Sequence, residues 1–107
     1  MIFKIKFFSL IFLLSLVAVS TNYYYGSLGV LPIDTFAHFD TGYRILNSEI
    51  PFVDYWTISG PFIDFLQAFY FSIFGVSWKI YMLNSSILNL ILTLISFLFF
   101  KKIGINY

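Results

Sequence analysis

Residues 80 to 100 read IYMLNSSILNLILTLISFLFF, a run of 21 positions without a charged side chain, and Lys101 and Lys102 follow at once. Wound as a helix at about 1.5 Å per residue, this run covers the roughly 30 Å of hydrocarbon in a bilayer. It predicts a membrane-spanning helix over 80–100. The two lysines mark its cytoplasmic end, because basic residues accumulate on that side, and Trp78 suits the opposite headgroup boundary. The composition agrees with a bilayer as solvent. Hydrophobic residues make up 60% of the chain, aromatics 23% and charged residues only 10%, whereas soluble domains carry charge on about a quarter of their positions. The mean hydropathy is +0.89.

The N-terminal end supports two readings. Phe7 to Val19 is almost unbroken hydrocarbon and aromatic character, preceded by Lys4 and Lys6 and followed by Ser20-Thr21-Asn22-Tyr23-Tyr24-Tyr25. As a span over 7–25, it keeps its lysines in the cytoplasm and sets the tyrosines in the far interfacial belt. As a cleavable signal peptide, it would use Ala18-Val19-Ser20 as the processing site. Both readings send the next residues outside. With the anchor, the order is a cytoplasmic 1–6, a span at 7–25, a non-cytoplasmic loop at 26–79, a span at 80–100 and a cytoplasmic tail at 101–107. The expected fold is an all-α membrane protein with two transmembrane helices, multi-pass in the plasma (inner) membrane.

A third apolar stretch, Phe62 to Phe74, is too short to span and carries Asp64 and Gln67 on one face. Ser59-Gly60-Pro61 is a helix start and Gly75 a stop. The expectation is a helix near 61–75 that lies in the interface or re-enters it. Within 80–100, Ser85, Asn89, Thr93 and Ser96 share a helix face. Such a stripe predicts contact with another membrane helix. The first span offers it little, so further transmembrane helices or a partner subunit are expected to cover it. Bonding of Ser and Thr to their own helix carbonyls is the alternative, and it explains Asn89 least well.

Between the spans, Gly26, Gly29, Pro32, Gly42, Pro51 and Gly60 interrupt the backbone. From Asp34, a residue type that caps helix starts, Phe36, Phe39, Tyr43 and Leu46 recur as an apolar stripe. This predicts an amphipathic helix over 34–46, lying on the membrane surface with His38, Asp40, Thr41 and Arg44 turned toward water or a site. Asp34, Asp40, Glu49 and Asp54 lie in this loop with His38 and Arg44, and Asp64 lies just beyond it. Nearly all the ionisable chemistry thus gathers at headgroup depth, where a lipid-linked phosphate would present itself. Each residue also has an ordinary reading: Asp34 as a helix cap, Asp40 and Arg44 as an i,i+4 pair, and loop carboxylates as solvated groups. His38 has no second imidazole with which to share a metal. A net charge of +1 from six basic and five acidic residues sets nucleic-acid binding aside. The absence of cysteine excludes disulfides, thiolate metal sites and a Cys nucleophile.

The loop carries Leu31-Pro32-Ile33-Asp34, then Asp40-Thr41-Gly42-Tyr43-Arg44-Ile45-Leu46-Asn47, then Ile50-Pro51-Phe52-Val53-Asp54-Tyr55-Trp56, then Gly60-Pro61 and an aromatic helix ending Phe74-Gly75. In that order, over about residues 26 to 78, it resembles the N-terminal part of bacterial membrane glycosyltransferases. The type is that of the dolichyl-phosphate-mannose protein mannosyltransferases and lipid A aminoarabinose transferases, in the glycosyltransferase C superfamily. The resemblance implies transfer of a sugar from a polyprenyl-phosphate carrier to a lipid, protein or glycan acceptor, with membrane lipid as surroundings. It implies a catalytic carboxylate at Asp34, which takes the acceptor's proton or helps hold a divalent metal ion against the carrier phosphate. Arg44 would assist with phosphate charge, and with His38, Asp40 and Asp54, which gather in the same loop, it makes up the candidate substrate-binding residues. The chain departs from the pattern at Thr35, where the family often has an acid, and at Ser59, where it often has a base. It resembles only the opening of such an enzyme, so the expectation is an N-terminal fragment, inactive alone. The alternative is a small non-enzymatic membrane subunit or a lipid-phosphate-binding protein.

Overall fold

A computed structural model describes residues 2 to 29, 34 to 58 and 60 to 104, with the side chains of 2–6 and of Asp34 outside the description. The described residues form four helices: α1 (Ile2–Ser27), α2 (Asp34–Leu46), α3 (Pro61–Phe74) and α4 (Trp78–Lys102). No strand occurs among the described residues; the one bridge, Pro51 with Tyr55, is isolated. Two helical segments, Phe7–Ser27 and Trp78–Lys102, are long and apolar enough to cross a bilayer. The chain divides into two compact units, residues 1–27 with 85–107, and residues 28–84.

In the first unit, α1 meets the C-terminal three-quarters of α4 through polar atoms as well as rings. Asn22 Nδ2 donates to Ser85 Oγ at 3.1 Å and to Ser86 Oγ at 3.0 Å. Asn89 Nδ2 donates to the Ala18 carbonyl at 3.3 Å. At the other end, Phe7 and Phe97 rings lie 5.3 Å apart, and Lys101 Nζ sits 3.9 Å from the Phe7 ring centroid. This corrects the expectation that α1 has little to offer the polar stripe of α4. The physical reason is that Asn22 supplies both a donor and an acceptor, and a main-chain carbonyl serves Asn89 where no side chain is available. Thr93 takes the alternative course, donating to the Asn89 carbonyl of its own helix at 2.8 Å. Membrane hydrogen bonds of this kind are worth about 0.6 kcal/mol on average. Asn22→Leu removes its donations to Ser85 and Ser86 and its acceptance from Ser85 at 3.4 Å, and is expected to cost about 1–2 kcal/mol. The readout is a modest loss of folded fraction in a detergent titration; an unchanged titration would mean that ring contacts alone hold α1 to α4.

The second unit is built on the α2–α3 seam. α3 begins with Pro61, whose missing N–H costs nothing in the first turn, and ends at Gly75, whose φ of 85° and N–H bond to the Phe71 carbonyl close the helix. Its buried face is Asp64, Gln67, Ala68 and Phe71, the i, i+3, i+4, i+7 set of a helix that packs on one side. On α2, Gly42 faces this stripe: a Cβ there would lie 2.7 Å from Gln67 Cγ. The lack of a side chain at Gly42 is what lets the two backbones approach.

The polarity of this unit is inverted relative to a soluble domain. Asp64, Gln67, Thr41, Thr57 and Asn84 are buried, while Phe36, Phe62, Phe65, Phe69 and Ile73 are exposed. The expected division of α2 holds only in part. His38 and Thr41 do not turn to water but enter the seam against α3, where Asp64 offers an acceptor. Phe39 leaves the apolar stripe's outer surface to pack on Phe71 at 5.1 Å, with Trp78 and Tyr81 each at 6.1 Å.

Candidate functional site

The chemistry of the second unit is arranged in two groups. The inner one centres on Asp64, whose side chain is 0% exposed. Its Oδ1 accepts from Thr41 Oγ1 at 2.7 Å and lies 3.2 Å from His38 Nδ1. A carboxylate with no exposure is costly unless it is paired and hydrogen-bonded, and α2 supplies both kinds of partner from residues one turn apart. His38 remains 23% exposed, so its ring reaches from the buried acid toward the surface.

One turn further along α3, Gln67 Oε1 accepts from Asn84 Nδ2 at 2.6 Å. The Asp64 Oδ2, Gln67 Nε2, Asn84 Oδ1 and Thr57 Oγ1 atoms are buried without a hydrogen-bond partner among the described residues. Buried polar atoms are nearly always satisfied in folded proteins, so four such atoms in one small unit mark it as a place where polar chemistry is kept at a cost in stability.

The outer group is exposed. Arg44 donates from Nε to Asp40 Oδ2 at 2.6 Å and from Nη1 to Glu49 Oε2 at 2.9 Å. These two carboxylates hold its guanidinium still more firmly protonated than usual, the Asp40 hydrogen bond contributing most. The Tyr55 ring lies 5.7 Å from the guanidinium carbon. Burial, then the negative charges of Asp64 and Glu49, raise the Tyr55 phenol above its ordinary value, against a smaller opposing effect of Arg44. The phenol is therefore a proton donor throughout the neutral range, and its OH is 3.5 Å from the Thr41 carbonyl. Asp40, Arg44 and Glu49 together carry one net negative charge.

The loop between α2 and α3 is folded on itself. Asp54 Oδ2 accepts from the Ile50 N–H at 2.7 Å, and the Asp54 N–H returns a bond to the Ile50 carbonyl at 2.9 Å. This turn holds Phe52 at a φ of 65° and presents Trp56 80% exposed, with the two rings 5.6 Å apart.

Of the site residues read from the sequence, Asp40 and Arg44 are thus brought together, His38 is drawn to Asp64, and Asp54 stays in the loop tip. Asp34 opens α2, but its side chain lies outside the described residues. Among the described residues, no three His, Cys, Asp or Glu side chains are grouped to hold a metal ion, and His38 and Asp64 alone do not make such a site. The sequence reading missed Asp64 as a centre, with Thr41, Gln67 and Asn84 around it. The signal was available: two polar residues at i and i+3 in an otherwise apolar helix. The chain matches no family model, no curated protein and no solved structure.

Proposed function

We propose that this chain supplies the opening membrane hairpin and first external loop of a glycosyltransferase that moves a sugar from a polyprenyl-phosphate carrier to a hydroxyl-bearing acceptor. The observation that carries this reading is the inverted unit 28–84, with Asp64, Gln67 and Asn84 inside and Phe36, Phe62, Phe65 and Phe69 outside. Such a surface suits a headgroup layer, the depth at which a lipid-linked phosphate sits. The order of words from Leu31 to Gly75 adds the resemblance to sugar transferases. On this reading the loop lies on the non-cytoplasmic side of the plasma membrane, Asp34 stands at the entrance of the site, and Arg44, Asp40, His38 and Asp54 line the approach.

The test is photolabelling of the full chain in lipid nanodiscs with a photoreactive polyprenyl phosphate. Labelling is expected within residues 34 to 58, competed by unlabelled polyprenyl phosphate and reduced severalfold by Arg44→Ala. Equal competition by phosphatidic acid would overturn the carrier assignment.

A second reading has one observation in its favour. Asn22 and the Ala18 carbonyl satisfy Ser85, Ser86 and Asn89 inside the first unit, which suits a small membrane subunit that closes its own polar contacts. A stable stoichiometric partner on purification in mild detergent, without carrier labelling, would favour it.

A further inference from the structure

We propose that the loop tip 50–58 is a membrane-inserting wedge, with Phe52, Val53 and Trp56 entering the boundary between lipid headgroups and acyl chains. The wedge rests on the membrane reading of the two long helices, which the sugar-transfer reading shares, and it holds whether or not a sugar is moved.

The sides of this segment are reversed relative to a loop in water. Pro51 and Thr57 are buried and Tyr55 is half-buried, whereas Ile50, Phe52, Val53, Trp56 and Ile58 are exposed. From Tyr55 to Ile58 the side chains alternate in, out, in, out, as they do along an extended backbone. Water would favour the opposite register, with the Thr57 hydroxyl outside and Trp56 and Ile58 inside. Instead Thr57 Oγ1 is buried without a hydrogen-bond partner among the described residues, while Val53 is 75% and Trp56 80% exposed. Single apolar side chains scattered on a surface are ordinary, but five within one short loop form a patch that a membrane or a partner covers.

The backbone keeps that face out. The Phe52 N–H donates to the Tyr55 carbonyl at 2.8 Å and the Val53 N–H to the Ile50 carbonyl at 3.1 Å. Phe52 is held at a φ of 65°, a region that an aromatic residue rarely adopts, and its ring meets that of Trp56 edge-on at 5.6 Å. Asp54 is the only charged residue between 50 and 58, and its Oδ2 accepts the Ile50 N–H at 2.7 Å. A tip whose backbone donors are satisfied and whose one carboxylate is tied back loses little on leaving water.

What selects lipid is the body to which the tip belongs. The unit that carries it includes the first turns of α4, up to Asn84, and α4 is long and apolar enough to cross a bilayer. Only residues 75–77 separate α3 from that helix, and Asn84 Nδ2 donates to Gln67 of α3 at 2.6 Å. The tip is therefore part of a body packed on the entry of a span, and tryptophan and phenylalanine are residues that settle at that depth.

The chain has two tryptophans, so Trp78→Phe leaves Trp56 as the sole emitter. The full chain is placed in phosphatidylcholine nanodiscs with or without bromine atoms high on the acyl chains. Bromine is expected to quench Trp56 emission at least twofold, and aqueous iodide to quench it severalfold less than free tryptophan. The chain has no cysteine, so Val53→Cys carrying a spin label gives a second reading with both tryptophans in place. Its label is expected to be relaxed by oxygen dissolved in the lipid and not by a water-soluble nickel chelate. Trp56 open to iodide and untouched by bromine overturns the proposal in favour of a water-facing loop, as does a nickel-accessible label at position 53. Trp56 shielded from both quenchers overturns it in favour of a protein partner. Carrier labelling reports the sugar-transfer reading and Trp56 quenching the wedge, so failure of one is distinguished from failure of the other.

Discussion

Gly42→Leu is expected to lower the thermal midpoint of the 28–84 unit by roughly 10 °C, because it forces apart helices that meet with no side chain between them. Even a methyl group at this position would come 2.7 Å from Gln67 Cγ, 3.0 Å from Gln67 Cβ and 3.4 Å from the Ala68 nitrogen. Gln67 Cβ is fixed to the main chain and cannot rotate away, whereas the Ala68 nitrogen lies at ordinary contact distance. Overpacking of this kind costs about 1–3 kcal/mol, and a small domain loses about 4–8 °C per kcal/mol. Alanine should fall between glycine and leucine, since its better helix propensity returns about 1 kcal/mol of what the clash removes. Far-UV circular dichroism of the full chain in detergent follows the melt. The ranking Gly42, then Ala, then Leu is the signature of a close helix contact; a Leu chain that melts with the parent would show that α2 and α3 do not meet at Gly42.

That contact explains which parts of the architecture were legible beforehand. Helix type and position follow from local signals. The Gly60-Pro61 start and the Gly75 stop act through backbone chemistry within a turn or two, and the uncharged run after Ile80 acts through composition. The helices accordingly form at 34–46 and 61–74, and two others are long and apolar enough to span a membrane. What each helix face packs against is a different kind of information. Spacing placed His38 and Thr41 opposite the phenylalanine stripe of α2, and an aqueous environment would have turned that side outward. The seam inverts this, because Asp64 and Gln67 on α3 need hydrogen-bond partners and α2 has them. Asp64, Gln67, Ala68 and Phe71 also have the spacing of a buried helix face, but a pattern search that equates burial with hydrophobicity selects Phe62, Phe65 and Phe69 instead. Asn22 was hidden for a similar reason: it stood at the edge of the first span beside three tyrosines, and its partners lie more than sixty residues away. The Asp40–Arg44 pair, four residues apart, was legible in full. Glu49 as the second partner of Arg44 depended on the turn after α2, where the Glu49 N–H bonds the Arg44 carbonyl at 3.1 Å.

Asp64→Leu is expected to destabilise the same unit by about 3 kcal/mol, although it replaces a buried charged residue with an apolar one of similar size. The carboxylate has been taken wholly out of water, so its removal relieves a desolvation penalty. The change also strips His38 Nδ1 of its acceptor and leaves Thr41 Oγ1 only the weaker bond to the His38 carbonyl at 3.3 Å. A donor left without its acceptor costs about 1–3 kcal/mol when buried. The partners' loss therefore outweighs the relief. Thr41→Val and His38→Leu remove the donors, so adding both to Asp64→Leu should recover most of the lost stability, giving a triple variant that melts well above the single one. Simple additivity would instead place the triple variant lowest of all. Thermal melts of the singles and the triple in one detergent decide between these outcomes. Recovery would mean that the polar seam is dispensable for folding. Additive loss would mean that Asp64, Thr41 and His38 stabilise the fold through separate contacts, and that the seam is structural.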